Sequence, residues 1–288
     1  MISNRKDIIS EVTMVATRYA YVTLLMKGDA YLSGLRALSA SLHATGTAYD
    51  LVCMITPDVD GELVAPLVTT VQQVEYLNYE TKELKTVKQR QTYGSWIASS
   101  YTKWAALTLT SYEKVLFLDL DVVVLENLDA LFELQAPAAT FSNAWAQPYL
   151  KGRGALFNPY SELKHGDSVP AVAIAQGLMR SFVLIGTTVL LQPSLADFAA
   201  YQEMVQSQQP YGREGCYSGS DEQSLASFYQ TQWTHIGQRY NMIPWHQKSW
   251  LPVGETSAVA HYSGQKPWLQ KRDAWPDLAL WWQYHDAS

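Results

Sequence analysis

The pattern of apolar and polar residues along the chain predicts strands that alternate with helices. Residues 19–25 and 50–56 are short apolar runs typical of buried strands, and residues 30–43 between them carry leucines at helical spacing. Further along, the pattern predicts helices over 61–73, 95–109, 129–134, 194–206 and 221–229, and strands over 74–77, 140–145, 181–192 and 259–261. Residues 181–192 form either a strand pair or one long strand. The alternation is typical of a mostly parallel sheet with helices on both faces.

The strongest local signal lies at residues 115–128. Residues 115–118 are continuously apolar, which is typical of a parallel strand buried on both faces. Asp119 and Asp121 follow at its carboxyl end, where open α/β sheets bind ligands. Residues two apart on a strand point the same way, about 7 Å apart. One Mg²⁺ or Mn²⁺ ion, which prefers hard oxygen ligands, could therefore contact both. The alternative is two solvated acids that end a strand.

Composition narrows the class of protein. The 288 residues are 48% hydrophobic and 17% charged, as in an ordinary globular chain of one large domain or two small ones. A net charge of −6 argues against a general nucleic-acid surface, although a local site could still bind an anion. The ten Trp and eighteen Tyr residues either fill the core or form stacking platforms for sugars and bases.

The cysteines and the apolar runs indicate a reducing, cytoplasmic location. Two cysteines do not make a disulfide framework; Cys53 lies in an apolar strand and Cys216 in a glycine-rich stretch. We find no run of 18 apolar residues and no secretory leader, so we expect no transmembrane segment. In residues 275–282, Trp275, Trp281 and Trp282 occur at helical spacing. This aromatic helix either packs on the domain or lies on a membrane or a partner protein.

Three polar or glycine-rich stretches interrupt the pattern. Residues 81–91 carry four cations, which form either a solvated face or a phosphate-binding segment. Residues 151–169 and 208–220 are predicted loops, and loops this long in a compact domain are usually lids or binding segments.

Several motifs occur in the order seen in one family. They are YVTLLMKGDAYLSGLRALSASL from residue 21, YTKWAALTLTSYEKVLFLDLDVVVLENLDALFEL from residue 101, LLQPS, GSDEQSLASFY and HYSGQKPW. In this respect the chain resembles the glycogenin-like retaining glycosyltransferases, glycosyltransferase family 8, which include galactinol synthases and plant glucuronosyltransferases. The resemblance covers roughly residues 19–270 and implies a glycosyltransferase A-type (Rossmann-like) fold, a single α/β domain. We predict that this domain spans residues 18–288 and that residues 1–17 are an extension ahead of it.

The resemblance also implies a set of site residues. Asp119, Asp121 and His261 match the ligands of a Mn²⁺ ion, for which Mg²⁺ is an alternative. Residues matched to the UDP-sugar donor are Leu24, Asp29, Tyr31, Lys103, Leu120, Gly264 and Lys266. Asp221 matches an acid beside the donor sugar, and Glu222 or Gln223 matches the neighbouring glutamine. With Lys103, these three are the catalytic candidates.

The sequence departs from the family pattern in three places. The usual Asn-Ser/Thr-Gly reads Ile185-Gly186-Thr187, so an asparagine contact to sugar is absent, and Thr187 or Thr188 is the candidate replacement. The C-terminal motif is one residue shorter than in glycogenin. No segment matches the self-glucosylated tyrosine of glycogenin, so self-priming is not implied.

The implied activity is metal-dependent transfer of a hexose from a UDP-sugar, with retention, to a carbohydrate, polyol or glycoconjugate acceptor. Retention requires a covalent intermediate or front-face attack, and the sequence does not choose between them. Two other classes stay open: a non-catalytic sugar-nucleotide-binding protein on this fold, and a metal-dependent phosphohydrolase or nucleotidyltransferase. We expect no nucleic-acid partner, and a homodimer is compatible with the sequence.

Overall fold

A computed structural model describes most of the chain. The described residues are 18–79, 87, 90–91, 94–141, 160, 162–178, 184–207, 220–244, 257–264, 266–274 and 276–288. The predictions for residues 1–17, for Cys216 and Trp275, for most of 81–91 and 151–169, and for 208–219 lie outside these ranges.

The described strands form a large and a small sheet. The strands are β1 (Tyr19–Leu25), β2 (Asp50–Ile55), β3 (Thr70–Gln73), β4 (Lys114–Leu118), β5 (Val122–Val124), β6 (Ala138–Phe141), β7 (Leu184–Leu191), β8 (Thr234–His235) and β9 (Val259–His261). Seven of them pair in the order β3-β2-β1-β4-β7-β6-β8, while β5 and β9 form an antiparallel ribbon. Strands β3, β2, β1 and β4 are parallel, β7 is antiparallel to both neighbours, and β6 is parallel to β8. The predicted mostly parallel sheet is confirmed.

The order of strands fixes where a ligand can enter. The chain runs outward from β1 to β3 and then returns to β4 on the other side of β1. The connections that follow β1 and β4 therefore leave the sheet in opposite directions. Ligands of open α/β sheets bind in the crevice at such a switch point.

Helical segments cover both faces of the large sheet. The α-helices are α1 (Leu32–Ala44), α2 (Gly61–Val64), α3 (Ala171–Leu178), α4 (Leu195–Gln206), α5 (Ser220–Phe228) and α6 (Leu278–His285), and the 3₁₀ segments are Ala65–Leu67, Ile97–Thr108, Asp129–Glu133, Gln238–Tyr240 and Pro267–Leu269. The 3₁₀ helix Ile97–Thr108 packs with α3, α4 and α5 on one face. Helices α1 and α2 pack on the other. Alternate residues of β1 belong to the two apolar cores, as expected for a strand buried on both faces.

Some predicted elements are wrong. Residues 61–73 are not one helix, because Pro66 ends α2 within a short 3₁₀ turn and Thr70–Gln73 pairs with β2 as β3. The predicted strand over 74–77 is therefore β3, displaced by four residues. The segment over 95–109 is helical but winds as a 3₁₀ helix, and the helix predicted over 129–134 is likewise the 3₁₀ segment Asp129–Glu133.

Other elements and side chains lie where the sequence predicts them. Residues 184–191 are one strand, and Cys53 is buried with the pKa of its thiol raised to about 12 by burial. Trp281 is fully buried, and α6 contacts α1, so this part of the aromatic tail packs on the domain. Within the described ranges, every helix is too short or too polar to cross a bilayer.

Gly34 allows α1 to approach the segment between the two aspartates. A Cβ atom there would overlap the carbonyl oxygen of Leu120 and come within 3.1 Å of Cη2 of Trp268. Helix α1 thus packs directly on the backbone that holds Asp119 and Asp121. Only glycine permits this contact without displacing one of the two segments.

We expect Gly34→Ala to lower the free energy of unfolding. Overpacking costs about 1–3 kcal/mol, which exceeds the gain in helix propensity of up to about 1 kcal/mol. Denaturant unfolding measures the difference. Gly61→Ala is the matched control, because its Cβ atom would meet only side-chain methyls, the nearest Cδ1 of Ile55 at 3.3 Å. Equal losses in the two variants would contradict the close packing at Gly34.

Candidate active site

Asp119, Asp121 and His261 lie together beyond the carboxyl end of β4. One ligand atom from each lies within 4.8 Å of the other two. Asp121 and His261 are buried, and Asp119 is partly exposed. Strand β4 ends at Leu118, and the next strand, β5, leaves the large sheet, so the chain turns at the two carboxylates.

Pairing of β5 with β9 places His261 beside the aspartates. Val122 pairs with His261, and the backbone N–H of Tyr262 donates to the carbonyl oxygen of Asp121 at 2.8 Å. Nε2 of His261 then lies 3.4 Å from Oδ2 of Asp121. About 140 residues of sequence separate the two, so backbone pairing rather than local sequence creates this contact.

Two lysines pair with the aspartates, one with each. Nζ of Lys103, on the 3₁₀ helix Ile97–Thr108, lies 2.7 Å from Oδ1 of Asp119 and 3.6 Å from Oδ2 of Asp221. Nζ of Lys266, beyond β9, donates to Oδ2 of Asp121. Burial alone would lower the pKa of each lysine, but Asp119 beside Lys103 and Asp121 beside Lys266 raise both. Burial also raises the pKa of Asp121, but the charge of Lys266 beside it outweighs burial and holds that pKa low.

Helix α5 brings two further acids to the same side. The carbonyl oxygen of Asp221 accepts from Nε1 of Trp104 at 3.1 Å, which fixes the start of the helix. The backbone N–H of Gly186 in β7 donates to Oε1 of Glu222 at 2.8 Å. A Cβ atom at residue 186 would come within 3.1 Å of Cγ of Glu222, so the glycine makes room for this side chain.

The two acids of α5 hold protons more tightly than free carboxyls. Burial raises the pKa of Asp221, which Lys103 partly offsets. Burial, and next the charge of Asp221, raise the pKa of Glu222 to about 8. Glu222 is therefore mostly neutral at pH 7, whereas Asp121 is ionised.

Residues predicted for the nucleotide flank the turn after β1. Leu24 is buried near the end of β1, Asp29 is exposed in the turn, and Tyr31 is 38% exposed just before α1. The Tyr31 ring meets Trp268 edge-on at 5.0 Å, and Nζ of Lys266 lies 5.8 Å from the Tyr31 ring centre. Tyr31 thus borders the cluster that contains Asp121.

The remaining residues that were predicted to bind the donor or to act in catalysis lie at the Asp119–Asp121–His261 cluster or beside it. Leu120 is buried between the two aspartates, and Gly264, with φ of +83°, forms the turn between His261 and Lys266. Gln223 is buried on α5 next to the two acids. Their contacts with a donor stay predictions.

The structure separates the two threonines proposed to replace the family asparagine. Oγ1 of Thr187 lies 3.4 Å from Oδ2 of Asp119 and 3.1 Å from Nδ1 of His261. Thr188 instead donates to the carbonyl oxygen of Tyr240 at 2.9 Å. Ile185 is buried in the core. Thr187 therefore lies at the cluster, and Thr188 is used structurally.

The sequence did not reveal two sets of contacts: that of Asn241 with His261, and those that hold the turn after β1. Oδ1 of Asn241 lies 2.7 Å from Nδ1 of His261. The backbone N–H of Lys27, which has φ of 63°, donates to the Tyr76 hydroxyl at 2.9 Å, and Tyr76 donates to Asp58 at 2.9 Å. No motif marks these residues, because the contacts arise only when distant segments pair.

The cluster suits a divalent cation. Two carboxylates and an imidazole nitrogen are ligands that Mn²⁺ accepts, and three protein ligands leave positions for substrate oxygens. Asp119, Asp121 and His261 would hold the ion. Mg²⁺ would use the same carboxylates, although imidazole suits it less well.

Comparisons with known proteins agree with this fold. A family model described as “Mannosyltransferase putative” matches residues 37–158. UDP-glucuronate:xylan alpha-glucuronosyltransferase 1 of Arabidopsis thaliana is 25% identical, covering 94% of this chain and 37% of the plant protein. Human glycogenin-1 is 25% identical, covering 88% of this chain and 63% of glycogenin-1. The solved structure of the galactosyltransferase LgtC with donor and acceptor sugar analogues has a TM-score of 0.58 at 14% identity, covering 93% of this chain and 95% of LgtC.

The fold is that of the A-type glycosyltransferases. In sequence the chain is similar to glycogenin-1 and to the xylan glucuronosyltransferases, which supports the resemblance to the glycogenin-like glycosyltransferases, family 8. It spans less than two thirds of the length of either relative.

We expect Glu222→Gln to remove a pH dependence of stability. A carboxyl whose pKa is raised from 4.5 to about 8 stabilises the folded protein fully below pH 4.5 and loses that contribution as the pH rises to about 8. The stability of wild type relative to the variant should therefore fall across this window, by up to about 1.4 kcal/mol per pH unit. Unfolding of the metal-free protein at several pH values measures this.

The exposed Glu203 supplies a matched control. Glu203→Gln should differ from wild type by an amount that does not change between pH 5 and 8. A constant difference for Glu222→Gln as well would contradict the raised pKa of Glu222.

Proposed function

We propose that this protein is a metal-dependent, retaining glycosyltransferase that transfers a hexose from a UDP-sugar to a carbohydrate, polyol or glycoconjugate acceptor. The observation that carries the proposal is the Asp119–Asp121–His261 cluster at the switch point of the sheet, flanked by Lys103 and Lys266. A nucleoside diphosphate is the kind of ligand that needs both a divalent cation and lysines.

Each part of the site has a chemical task in this reaction. The bond from the anomeric carbon to the diphosphate breaks, a bond to an acceptor oxygen forms, and the acceptor hydroxyl passes its proton to the departing diphosphate or to a carboxylate of the site. A divalent cation bound by the cluster would neutralise charge on the departing diphosphate. Lys266 and Lys103 would donate to diphosphate oxygens and so stabilise the same charge.

The acids on α5 are assigned to the sugar side. Asp221 is linked to Asp119 through Lys103, so it lies next to the cluster without belonging to it. A carboxylate there can orient a sugar hydroxyl and stabilise positive charge that develops at the anomeric carbon. Glu222 lies beside it against Gly186. Both routes to retention stay open with this arrangement.

We expect UDP release from a UDP-sugar to require a divalent cation and Asp121. A panel of UDP-sugars with Mn²⁺ and candidate acceptors should give released UDP from at least one donor, and EDTA should abolish it. Calorimetry should show UDP affinity reduced at least about tenfold without metal and in Asp121→Ala. Asp273→Asn, an exposed acid beyond Lys266, is the control and should bind UDP as wild type does.

The same assay distinguishes the other classes of protein. A sugar-nucleotide-binding protein would bind UDP with metal but release none from any donor. A phosphohydrolase would release phosphate without transferring sugar, and a nucleotidyltransferase would transfer the nucleotide part. Equal UDP affinity with and without metal would contradict the cluster as the nucleotide site.

We expect Asp221→Asn to lower kcat about 100-fold or more, while UDP and Mn²⁺ affinity stay near wild type. The substitution keeps the shape of the side chain but removes charge that acts mainly in the transition state. Steady-state kinetics and calorimetry on one preparation measure both quantities. Loss of Mn²⁺ binding in a folded Asp221→Asn variant would instead make Asp221 a metal or nucleotide residue.

A further inference from the structure

We infer that Asn241 is a positioning residue that keeps the proton of His261 on Nδ1, so that Nε2 is free to bind a cation. The inference rests on the proposed metal site and adds a residue that no motif identifies. It concerns a side chain that contacts His261 and is not one of the three proposed ligands. Its basis is the set of contacts around the His261 ring.

A neutral imidazole has one nitrogen that donates and one that accepts. Metal binding requires the lone pair of the nitrogen that faces the ion, so the other nitrogen must carry the proton. In His261, Nε2 faces Asp121 and Nδ1 faces Asn241. The useful tautomer is therefore the one protonated at Nδ1.

Distances favour that tautomer. Nδ1 lies 2.7 Å from Oδ1 of Asn241, a normal hydrogen-bond length. Nε2 lies 3.4 Å from Oδ2 of Asp121, longer than a normal hydrogen bond, and that oxygen already accepts from Lys266. A proton on Nδ1 therefore gains the better acceptor.

Thr187 does not replace Asn241 in this role. Its hydroxyl lies at 3.1 Å from Nδ1 and 3.4 Å from Nε2, so it contacts the ring without selecting one nitrogen strongly. The same hydroxyl has Oδ2 of Asp119 at 3.4 Å. The amide oxygen of Asn241 makes the shorter contact and faces Nδ1 only.

The backbone holds Asn241 in place. The backbone N–H of His261 donates to the carbonyl oxygen of Met242 at 2.7 Å, and that of Met242 donates to Val259 at 2.9 Å. The N–H of Asn241 donates to Gln238 at 3.0 Å, which ends the 3₁₀ segment Gln238–Tyr240. Asn241 is 5% exposed, so water does not compete freely for its amide. Partners of this kind typically change metal affinity 10–100-fold when removed.

Two measurements test the inference. Long-range ¹H–¹⁵N spectra of the metal-free protein, with the His261 signals assigned from His261→Gln, report which ring nitrogen carries the proton. We expect the Nδ1-protonated form in wild type and a shift toward the Nε2-protonated form in Asn241→Leu. Calorimetry with Mn²⁺ alone should show affinity at least about tenfold weaker in Asn241→Leu.

Two variants separate the tautomer effect from a structural one. Asn241→Asp keeps an oxygen acceptor for Nδ1 and should bind Mn²⁺ at least as tightly as wild type does, because a carboxylate partner also raises the basicity of the imidazole. Asn127→Leu removes an exposed asparagine on the loop after β5, and should leave both readouts unchanged. Thermal unfolding of each variant shows whether it is folded, and the wild-type spectrum decides the tautomer even if Asn241→Leu does not fold.

The possible failures are distinguishable. An Nε2-protonated His261 in wild type, or Mn²⁺ affinity within twofold of wild type in folded Asn241→Leu, would overturn the role of Asn241. If His261→Gln itself binds Mn²⁺ as wild type does, the proposed metal site is wrong instead. In that case the spectra still decide whether Asn241 sets the tautomer.

Discussion

Compensation of buried charge beyond β4 is the constraint on which the rest of the structure depends. Asp121 and Asp221 are almost fully buried, and an uncompensated charge there costs several kcal/mol. Lys266 and Lys103 provide the compensation, and each comes from a different part of the chain. The 3₁₀ helix Ile97–Thr108, the turn after β9 and the start of α5 must therefore all be in place before the acids can be buried together.

The same balance explains how one site can be stable without a ligand and still bind an anionic one. In the free protein the lysines neutralise the aspartates. In the proposed complex a cation takes over Asp119 and Asp121, which leaves Lys103 and Lys266 able to contact a diphosphate. Glu222, mostly neutral at pH 7, adds little to the negative charge of the site.

Strands that are buried on both faces can be predicted from the sequence. Side chains on both faces of such a strand must be apolar, so the strand appears as a short continuous apolar run. Tyr19–Leu25 and Val259–His261 have the predicted bounds, and Asp119 and Asp121 lie at the predicted end of β4. Prediction failed around residues 61–77, where β3 has exposed polar residues and gains its order from pairing with β2. Asn241 could not be predicted for a related reason. Its contact with His261 depends on Met242 pairing with the end of β9, and no local pattern records such pairing.

The β5–β9 ribbon has a consequence for how the protein is made. Every strand that the structure describes in the large sheet precedes residue 236, whereas His261 and Lys266 follow it. A growing chain can thus assemble its main scaffold while two of the groups that surround Asp121 have yet to be translated. During that interval the acids beyond β4 lack half of their compensation and are better left solvated. Arrival of the ribbon's second strand would then close the site only after the large sheet has been synthesised, so competence for the proposed nucleotide would follow assembly of that sheet.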